Sequence, residues 1–125
     1  MKTGSDPKAP VVAMCTYRIK NGKEEEFVGL LRRHWPTLRD LELVEDMPPP
    51  VFRGTDDTGN TYFVEILTWK DGDMPNRAHE LPAVMAVWEP MGMCCEARLG
   101  RPPMEFPIVQ VVSLSSHDAG RTGTA

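Results

Sequence analysis

The pattern of apolar and polar residues in the first third of the chain predicts a strand followed by an amphipathic helix. Residues 11–20 begin β-branched and apolar and then alternate toward charge, which is typical of a strand, and an Asn-Gly pair ends it. Pro36 lies inside the helix that follows and lacks an amide donor, so we expect a kink or break near His34 and Trp35. The apolar positions of this helix recur at helical spacing: Phe27, Leu30, Leu31, His34, Leu38 and Leu41.

The middle of the chain predicts a hairpin that follows an interrupted strand. Residues 41–44 favour a strand, but three consecutive prolines follow, and a central strand cannot hold them. We therefore place this segment at a sheet edge or in a connection, with the strand resuming at 51–54. The sequence DDTGN at 56–60 indicates the hairpin turn, and residues 61–69 form its partner strand.

This partner strand carries large side chains on both faces. One face holds Tyr62, Val64 and Ile66. The opposite face holds Phe63, Glu65, Leu67 and Trp69. A strand buried on both faces needs helices on one side, and a second subunit or a ligand cavity could cover the other.

A broken helix and a final strand complete the pattern. Asp73 and Pro75 suit the start of a short helix, and Pro82 begins a second helical segment that carries Trp88 on its apolar stripe. Residues 105–112 predict the last strand. The order βαββαβ is that of a ferredoxin-like α+β fold, an antiparallel sheet with both helices on one face. Its other face needs cover, which two sheets packed back to back in a homodimer would provide.

The composition narrows the class of protein. The 125 residues predict one domain over 11–112, with flexible tails at 1–10 and 113–125. Hydrophobic residues make up 41% and charged residues 26%, which is ordinary for a soluble globular chain. The net charge is -4 and no long basic block occurs, which argues against a nucleic-acid or anionic-membrane partner.

The cellular location is inferred from the N-terminus and the cysteines. No secretory signal is recognisable at the start, and no apolar run is long enough to span a bilayer. The three cysteines are an odd number and two are adjacent, so a disulfide framework is a poor interpretation. We expect a cytoplasmic protein with reduced thiols.

Three stretches in this order resemble the dimeric α/β-barrel superfamily, in particular the antibiotic biosynthesis monooxygenase-like domains. They are YRIKNGKEEEF at 17–27, YFVEILTWKD at 62–71 and RAHELPAVMAVW at 77–88. The resemblance covers roughly residues 11–112. It implies a homodimer and one of several activities, which include cofactor-independent oxidation of polycyclic phenols and quinols, haem degradation, and isomerase-like or decarboxylase-like reactions. Fold alone does not choose among them.

His79 is the first candidate for catalysis. It matches the helix histidine that lines the cavity in some members of the resembled family. Its imidazole could accept a proton from a phenol at neutral pH, and the resulting anion could react with dioxygen without metal or flavin. The alternative is structural, a histidine that braces the helix break before Pro82 through a backbone hydrogen bond.

Glu65, Trp69, Trp88 and His34 are candidate substrate-binding residues, each with a structural alternative. Glu65 lies among apolar neighbours, so it is either an acid–base group or the partner of an arginine such as Arg18 or Arg53. Trp88 and His34 fall on apolar stripes, where a core tryptophan and a histidine bonded to a backbone carbonyl are the competing interpretations. Trp69 is either a cavity wall or a side chain packed at the barrel rim.

Haem and metal chemistry receive less support. Trp69 corresponds to a strand-end Trp of the haem-degrading relatives, but Cys15 and Trp88 stand where those relatives have an Asn and a His. His34 and His79 have no metal-binding spacing, so we expect neither a metal nor a cofactor. A Cys–His nucleophile with Cys15 or Cys94 near His79 stays open, without support from spacing.

These observations favour a homodimeric ferredoxin-like protein that binds a small apolar or aromatic molecule, of phenol or quinol type, between sheet and helices. The enzyme hypothesis is a cofactor-free monooxygenase with His79 as base. The alternative is a non-catalytic dimeric binding or accessory protein. Haem binding is the third interpretation.

Overall fold

An antiparallel sheet organises the chain, and helices cover one of its faces; its strands lie side by side in the order Val51–Thr55, Thr61–Trp69, Val11–Arg18 and Met104–Glu105. This computed structural model describes residues 8–114, so most of the predicted tails at 1–10 and 113–125 lies outside the described residues. The elements in order are β1 (Val11–Arg18), α1 (Glu24–Asp40), β2 (Val51–Thr55), β3 (Thr61–Trp69), α2 (Met74–His79), α3 (Pro82–Met93), β4 (Met104–Glu105) and β5 (Ile108–Val109). The predicted ferredoxin-like α+β fold is confirmed.

The centre of the sheet is the pairing of β1 with β3. The two strands are antiparallel and in register from Val11 opposite Trp69 to Arg18 opposite Tyr62. The predicted hairpin joins β2 to β3 at residues 56–60, where Gly59 adopts a φ of 83° that a glycine tolerates best. The hairpin closes with a hydrogen bond from the Asp56 amide to the Asn60 carbonyl, 2.9 Å long.

Helix α1 is not broken at Pro36, so a break near His34 and Trp35, one of the two expected outcomes, is absent. It runs without interruption from Glu24 to Asp40. Its buried residues lie on both sides of the proline and pack against the sheet: Phe27, Leu30, His34 and Leu38. This burial holds the helix together despite the missing amide donor. The break predicted at Pro82 is present, because α2 ends at His79 and α3 begins at Pro82.

The last strand is shorter than predicted. Residues 105–112 were expected to form one strand, but two short pieces, β4 and β5, flank Phe106 and Pro107. Both pieces pair with β1. Pro107 has no amide hydrogen, so it cannot donate a hydrogen bond to β1. Its carbonyl still accepts a hydrogen bond from the Met14 amide at 2.9 Å, so the pairing with β1 continues at this position through the carbonyl alone.

The two faces of the sheet differ in burial. Every second residue of β3, from Phe63 to Trp69, is buried beneath the helices. On the opposite face, Met14 is 40% exposed and Phe52 is 58% exposed, while Val64 and Ile66 are half-buried. The bulk predicted on both faces of β3 is therefore present, and within residues 8–114 no element covers the second face.

Arg98 connects three segments outside the sheet centre. Its guanidinium donates to the carbonyls of Ile19 and Thr61, at 2.7 and 2.9 Å. It also donates to the carboxylates of Asp56 and Glu96, at 2.8 and 3.1 Å. The side chain thereby fastens the loop after α3 to the end of β1 and to the hairpin. Hydrogen bonds from Thr58, supplemented by Arg98, hold the pKa of Asp56 below its usual range. No helix within the described residues is long and apolar enough to cross a membrane.

Candidate active site

An apolar cavity of about 260 Å³ lies between the sheet and the helices. Its floor is the helix-facing side of β1 and β3, and α2, α3 and the segment 104–108 form its walls. The lining residues include Trp69, His79, Trp88, Met85, Met104 and Phe106. A pocket of this kind, mostly apolar with few polar groups, is typical of small-molecule sites.

At the inner end of the cavity four side chains form a continuous hydrogen-bonded network, in which three line the cavity and the fourth, Glu65, lies behind them. The Trp88 indole donates from Nε1 to Nε2 of His34 at 2.8 Å. Nδ1 of His34 lies 3.1 Å from the Glu65 carboxylate, and the Tyr17 hydroxyl donates to Oε1 of Glu65 at 2.7 Å. Glu65 is 1% exposed and His34 is 3% exposed, so the network is shielded from water. We call these four residues the buried network.

The direction of these bonds fixes how His34 is protonated. A tryptophan indole can only donate, so Nε2 of His34 must be the acceptor. The proton of the neutral ring then lies on Nδ1, where it is donated to Glu65. Both donors to Glu65, Tyr17 and His34, are uncharged, and the carboxylate is only an acceptor. Within the described residues the Glu65 carboxyl group therefore has two hydrogen-bond donors and no lysine or arginine partner.

The expected partners of Glu65 and His34 were wrong. Glu65 was expected to pair with Arg18 or Arg53, but Arg18 binds Glu105 at 2.8 Å and Arg53 lies over the Phe63 ring. Arg18 lies opposite Tyr62, on the other face of the sheet from Glu65. Arg53 lies opposite Phe63, two positions along β3 from Glu65, and its side chain is exposed. His34 bonds to two side chains, where a backbone carbonyl was expected.

His79 occupies the mouth of the cavity. It is the last residue of α2, it is exposed, and its ring meets the Trp88 ring edge-on at a centroid distance of 4.8 Å. Within residues 8–114 no hydrogen bond to its ring nitrogens is formed, so the expected alternative of a backbone-bonded brace has no support there. An imidazole in this position can accept a proton from a ligand in the cavity.

The two predicted tryptophans form one wall of the same cavity. Trp69 is buried at the end of β3, and Trp88 is half-buried on α3. Their rings meet edge-on at 6.4 Å, a favourable arrangement for two aromatic groups. Trp88 was also considered a core residue. It packs against the core and also contacts His79 on one side and His34 on the other, and so links the mouth to the buried network.

Tyr17 was not predicted as part of the site. Tyr17 and Cys15 share the helix-facing side of β1, and both line the cavity. The alternation of β1 could have placed them on that face, because Ala13, Cys15 and Tyr17 are two residues apart. No pattern in the sequence indicates the bond between Tyr17 and Glu65, which depends on the pairing of β1 with β3.

The three cysteines are buried and free. Burial, and then the charge of Glu65, raises the pKa of the Cys15 thiol to about 12. Burial, and then the neighbouring Cys94, raises the pKa of Cys95 to about 12. Burial, and then the charge of Glu26, also raises the pKa of Cys94. Protonated thiols are poor nucleophiles, so the open alternative of a nucleophile formed by Cys15 or Cys94 with His79 gains no support. Within residues 8–114 no group of three or more metal-binding side chains is present.

The thiols should be unreactive in the folded protein. At pH 8 a thiol with a pKa of about 12 is ionised in roughly one molecule in ten thousand, and the side chains are buried. We expect a disulfide reagent of the Ellman type to titrate none of them within minutes. In urea it should titrate all three. Rapid reaction of one thiol in buffer would contradict the burial of that cysteine.

Solved structures with the same fold include oxygenases. SnoaB, a cofactor-independent oxygenase from Streptomyces nogalater, is 18% identical, with 84% of this chain and 96% of that chain covered and a TM-score of 0.59. A provisionally assigned antibiotic biosynthesis monooxygenase from Nitrosomonas europaea is 15% identical, with 86% and 94% covered and a TM-score of 0.59. A NIPSNAP family protein from Agrobacterium tumefaciens is 16% identical, with 91% and 96% covered and a TM-score of 0.58.

At sequence identities of 15%, 16% and 18%, the similarity to these structures shows a shared fold and no more. The chain has the fold of the antibiotic biosynthesis monooxygenase-like domains, as the resemblance of its sequence implied. No protein-family model matches the sequence, and a search of curated proteins finds no significant match.

Proposed function

We propose that this protein binds a phenol- or quinol-type aromatic molecule in the cavity and oxidises it with dioxygen, without a cofactor, using His79 as the base. The observation that carries the proposal is the position of His79. Its ring nitrogens have no hydrogen-bond partner within the described residues, and the ring lines a mostly apolar, aromatic-walled cavity. The shared fold with an oxygenase described as cofactor-independent supports the same reaction class.

The chemistry required of the protein is limited. His79 takes the hydroxyl proton of the ligand, and the electron-rich anion that remains is a stronger reductant than the neutral phenol. In the overall reaction a quinol and one molecule of dioxygen give a hydroxyquinone and one molecule of water. One oxygen atom enters the ring and the other leaves in water, and the quinol supplies all four electrons. Trp69 and Trp88 would hold the ring in place by aromatic contact.

Oxygen consumption with a panel of quinols and phenols tests the proposal. We expect at least one quinol to be consumed with equal amounts of quinol and dioxygen, faster than its spontaneous oxidation and in proportion to protein concentration. Labelled dioxygen should leave one labelled atom in the product. If quinols bind without oxygen uptake, the oxygenase proposal is wrong and the alternative role, a non-catalytic binding or accessory protein, is supported.

We also propose that two copies of the chain pack through the uncovered face of the sheet. The face carries apolar side chains on three adjacent strands, and no described element covers them. Its members are Val12, Met14, Phe52, Val64 and Ile66. Large exposed apolar patches of this kind mark protein interfaces.

A single charge on this face should dissociate the dimer. We expect light scattering at micromolar concentration to give twice the 14.0 kDa of one chain, and Met14→Glu to give the single-chain mass. A carboxylate at this central position would be buried without a partner in the dimer. Met93→Glu is the matched control, because Met93 is 70% exposed on helix α3. A single-chain mass for the unmodified protein would refute the dimer.

A further inference from the structure

The size of the cavity limits the ligand to one or two rings. Its volume is about 260 Å³. An apolar cavity of about 150 Å³ takes up benzene, and pockets for drug-sized molecules begin at about 300 Å³. The cavity falls between these values, so a fused bicyclic molecule fits and a larger polycyclic one does not unless the walls move.

The charges around the cavity have one sign. Among its lining residues, Glu89 is acidic, and none is a lysine or arginine. Glu65 lies directly behind the inner wall, in contact with two lining residues, Tyr17 and His34. Within residues 8–114, none of the ion pairs brings a lysine or arginine to Glu65. The Glu65 carboxyl group therefore lies at the inner end of the cavity with no lysine or arginine beside it.

The charge of Glu65 reaches groups that line the cavity. Cys15 lies directly opposite Glu65 in the pairing of β1 and β3. Burial and then the Glu65 charge raise the pKa of the Cys15 thiol, and the same two causes raise the pKa of Tyr17 well above its usual value. The apolar lining screens charge weakly, so a second negative charge beside the Glu65 carboxylate is unfavourable here.

We infer that the cavity selects uncharged aromatic ligands of one or two rings and rejects aromatic carboxylates, with the buried carboxylate of Glu65 as the residue that sets this selectivity. The inference rests on the proposed function, since it names the ligand class of the same site. The position of Glu65 at the inner end and of His79 at the mouth also orients the ligand. The hydroxyl group lies at the mouth beside His79, where a protonated imidazole can compensate an anionic oxygen, and the unsubstituted ring points inward toward Tyr17 and His34.

Isothermal titration calorimetry with a matched pair of ligands tests the inference. The probes are 2-naphthamide and 2-naphthoate, which have nearly the same shape and differ in charge, with 2-naphthol as the phenolic ligand. At neutral pH we expect 2-naphthol and 2-naphthamide to bind about tenfold or more tightly than 2-naphthoate. Equal affinity for the amide and the carboxylate in the unmodified protein would overturn the inference.

The variant Glu65→Gln isolates the charge. Glutamine keeps the size of the side chain and an oxygen that can accept from Tyr17 or His34. We expect it to raise the affinity for 2-naphthoate several-fold, and to leave the affinity for 2-naphthamide within about twofold. Glu25→Gln, an exposed change on α1, should leave both unchanged. A ratio of affinities that is the same in Glu65→Gln and the unmodified protein would remove Glu65 as the selecting residue.

The outcomes separate the inference from the proposed function. If Glu65→Gln does not fold, the comparison of the amide and the carboxylate in the unmodified protein still decides whether the cavity discriminates against charge. If no uncharged naphthalene derivative binds, both the ligand class and the proposed binding site are wrong. If the uncharged ligands bind selectively and no quinol is oxidised, the selectivity holds and only the oxygenase reaction is refuted.

Discussion

His79→Ala should lower the rate of oxygen consumption with a quinol substrate about 100-fold or more, with little change in the stability of the fold. A positioned base typically contributes about 10² to 10⁴ in rate, because the neutral phenol is a much poorer reductant than its anion. The side chain is exposed and has no hydrogen bond within residues 8–114, so its removal leaves no buried group without a partner. The measurement is oxygen uptake over a range of quinol concentrations.

Two further variants distinguish the loss of the base from a change in the shape of the cavity mouth. His79→Gln retains a polar side chain of similar size that cannot take the proton, and we expect it to lose as much activity as the alanine variant. Glu80→Ala changes the next exposed residue and should retain full activity. A His79→Ala protein that consumes oxygen at the unmodified rate would remove His79 as the base. Activity retained by His79→Gln alone would assign it a positioning role.

Arg98→Ala should lower the free energy of unfolding by about 2–4 kcal/mol, the largest effect on stability that we expect from one substitution outside the apolar core. The guanidinium is 7% exposed and satisfies the carbonyls of Ile19 and Thr61. Alanine leaves both carbonyls without this donor, and it releases the hairpin from the loop that follows α3. The midpoint and slope of urea unfolding measure the change.

Arg101→Ala is the matched control for this position. Its side chain is 63% exposed and reaches Glu105 at 3.6 Å, so we expect a change within about 0.5 kcal/mol. The stability of Arg98→Lys should fall between the stabilities of Arg98→Ala and Arg101→Ala. An ammonium group retains the charge, but it cannot reach all four acceptors as a planar guanidinium does. If Arg98→Ala and Arg101→Ala are equally stable, the contacts of Arg98 do not stabilise the fold.

Much of the fold was predictable because periodicity reports which face of an element is buried. The alternation along 61–69 assigned Phe63, Glu65, Leu67 and Trp69 to one face, and all four are buried beneath the helices. Pro82 correctly marked the break between α2 and α3. The failures came where burial overrode a local preference, as at Pro36, or where a proline interrupted a ladder, as at Pro107.

The candidate site was predictable only as a set of residues. His34, Glu65, Trp69, His79 and Trp88 were all selected from the sequence, and the structure places four of them around one cavity with Glu65 immediately behind its wall. The partners that determine what each residue can do were not predictable. Tyr17 and His34 meet Glu65 across separations of 48 and 31 residues, and no local pattern encodes such a pair.

The sequence by itself determined the order of elements, the buried face of each and the apolar character of the space between sheet and helices, because these depend on residue type and spacing. Only the tertiary structure decided which polar groups meet there. The register of β1 against β3 and the crossing of α1 bring Glu65 two neutral donors, Tyr17 and His34. That choice of partners places a buried carboxyl group behind the cavity wall. Within residues 8–114 it leaves the ring nitrogens of His79 without a hydrogen bond, since hydrogen bonds depend on three-dimensional proximity.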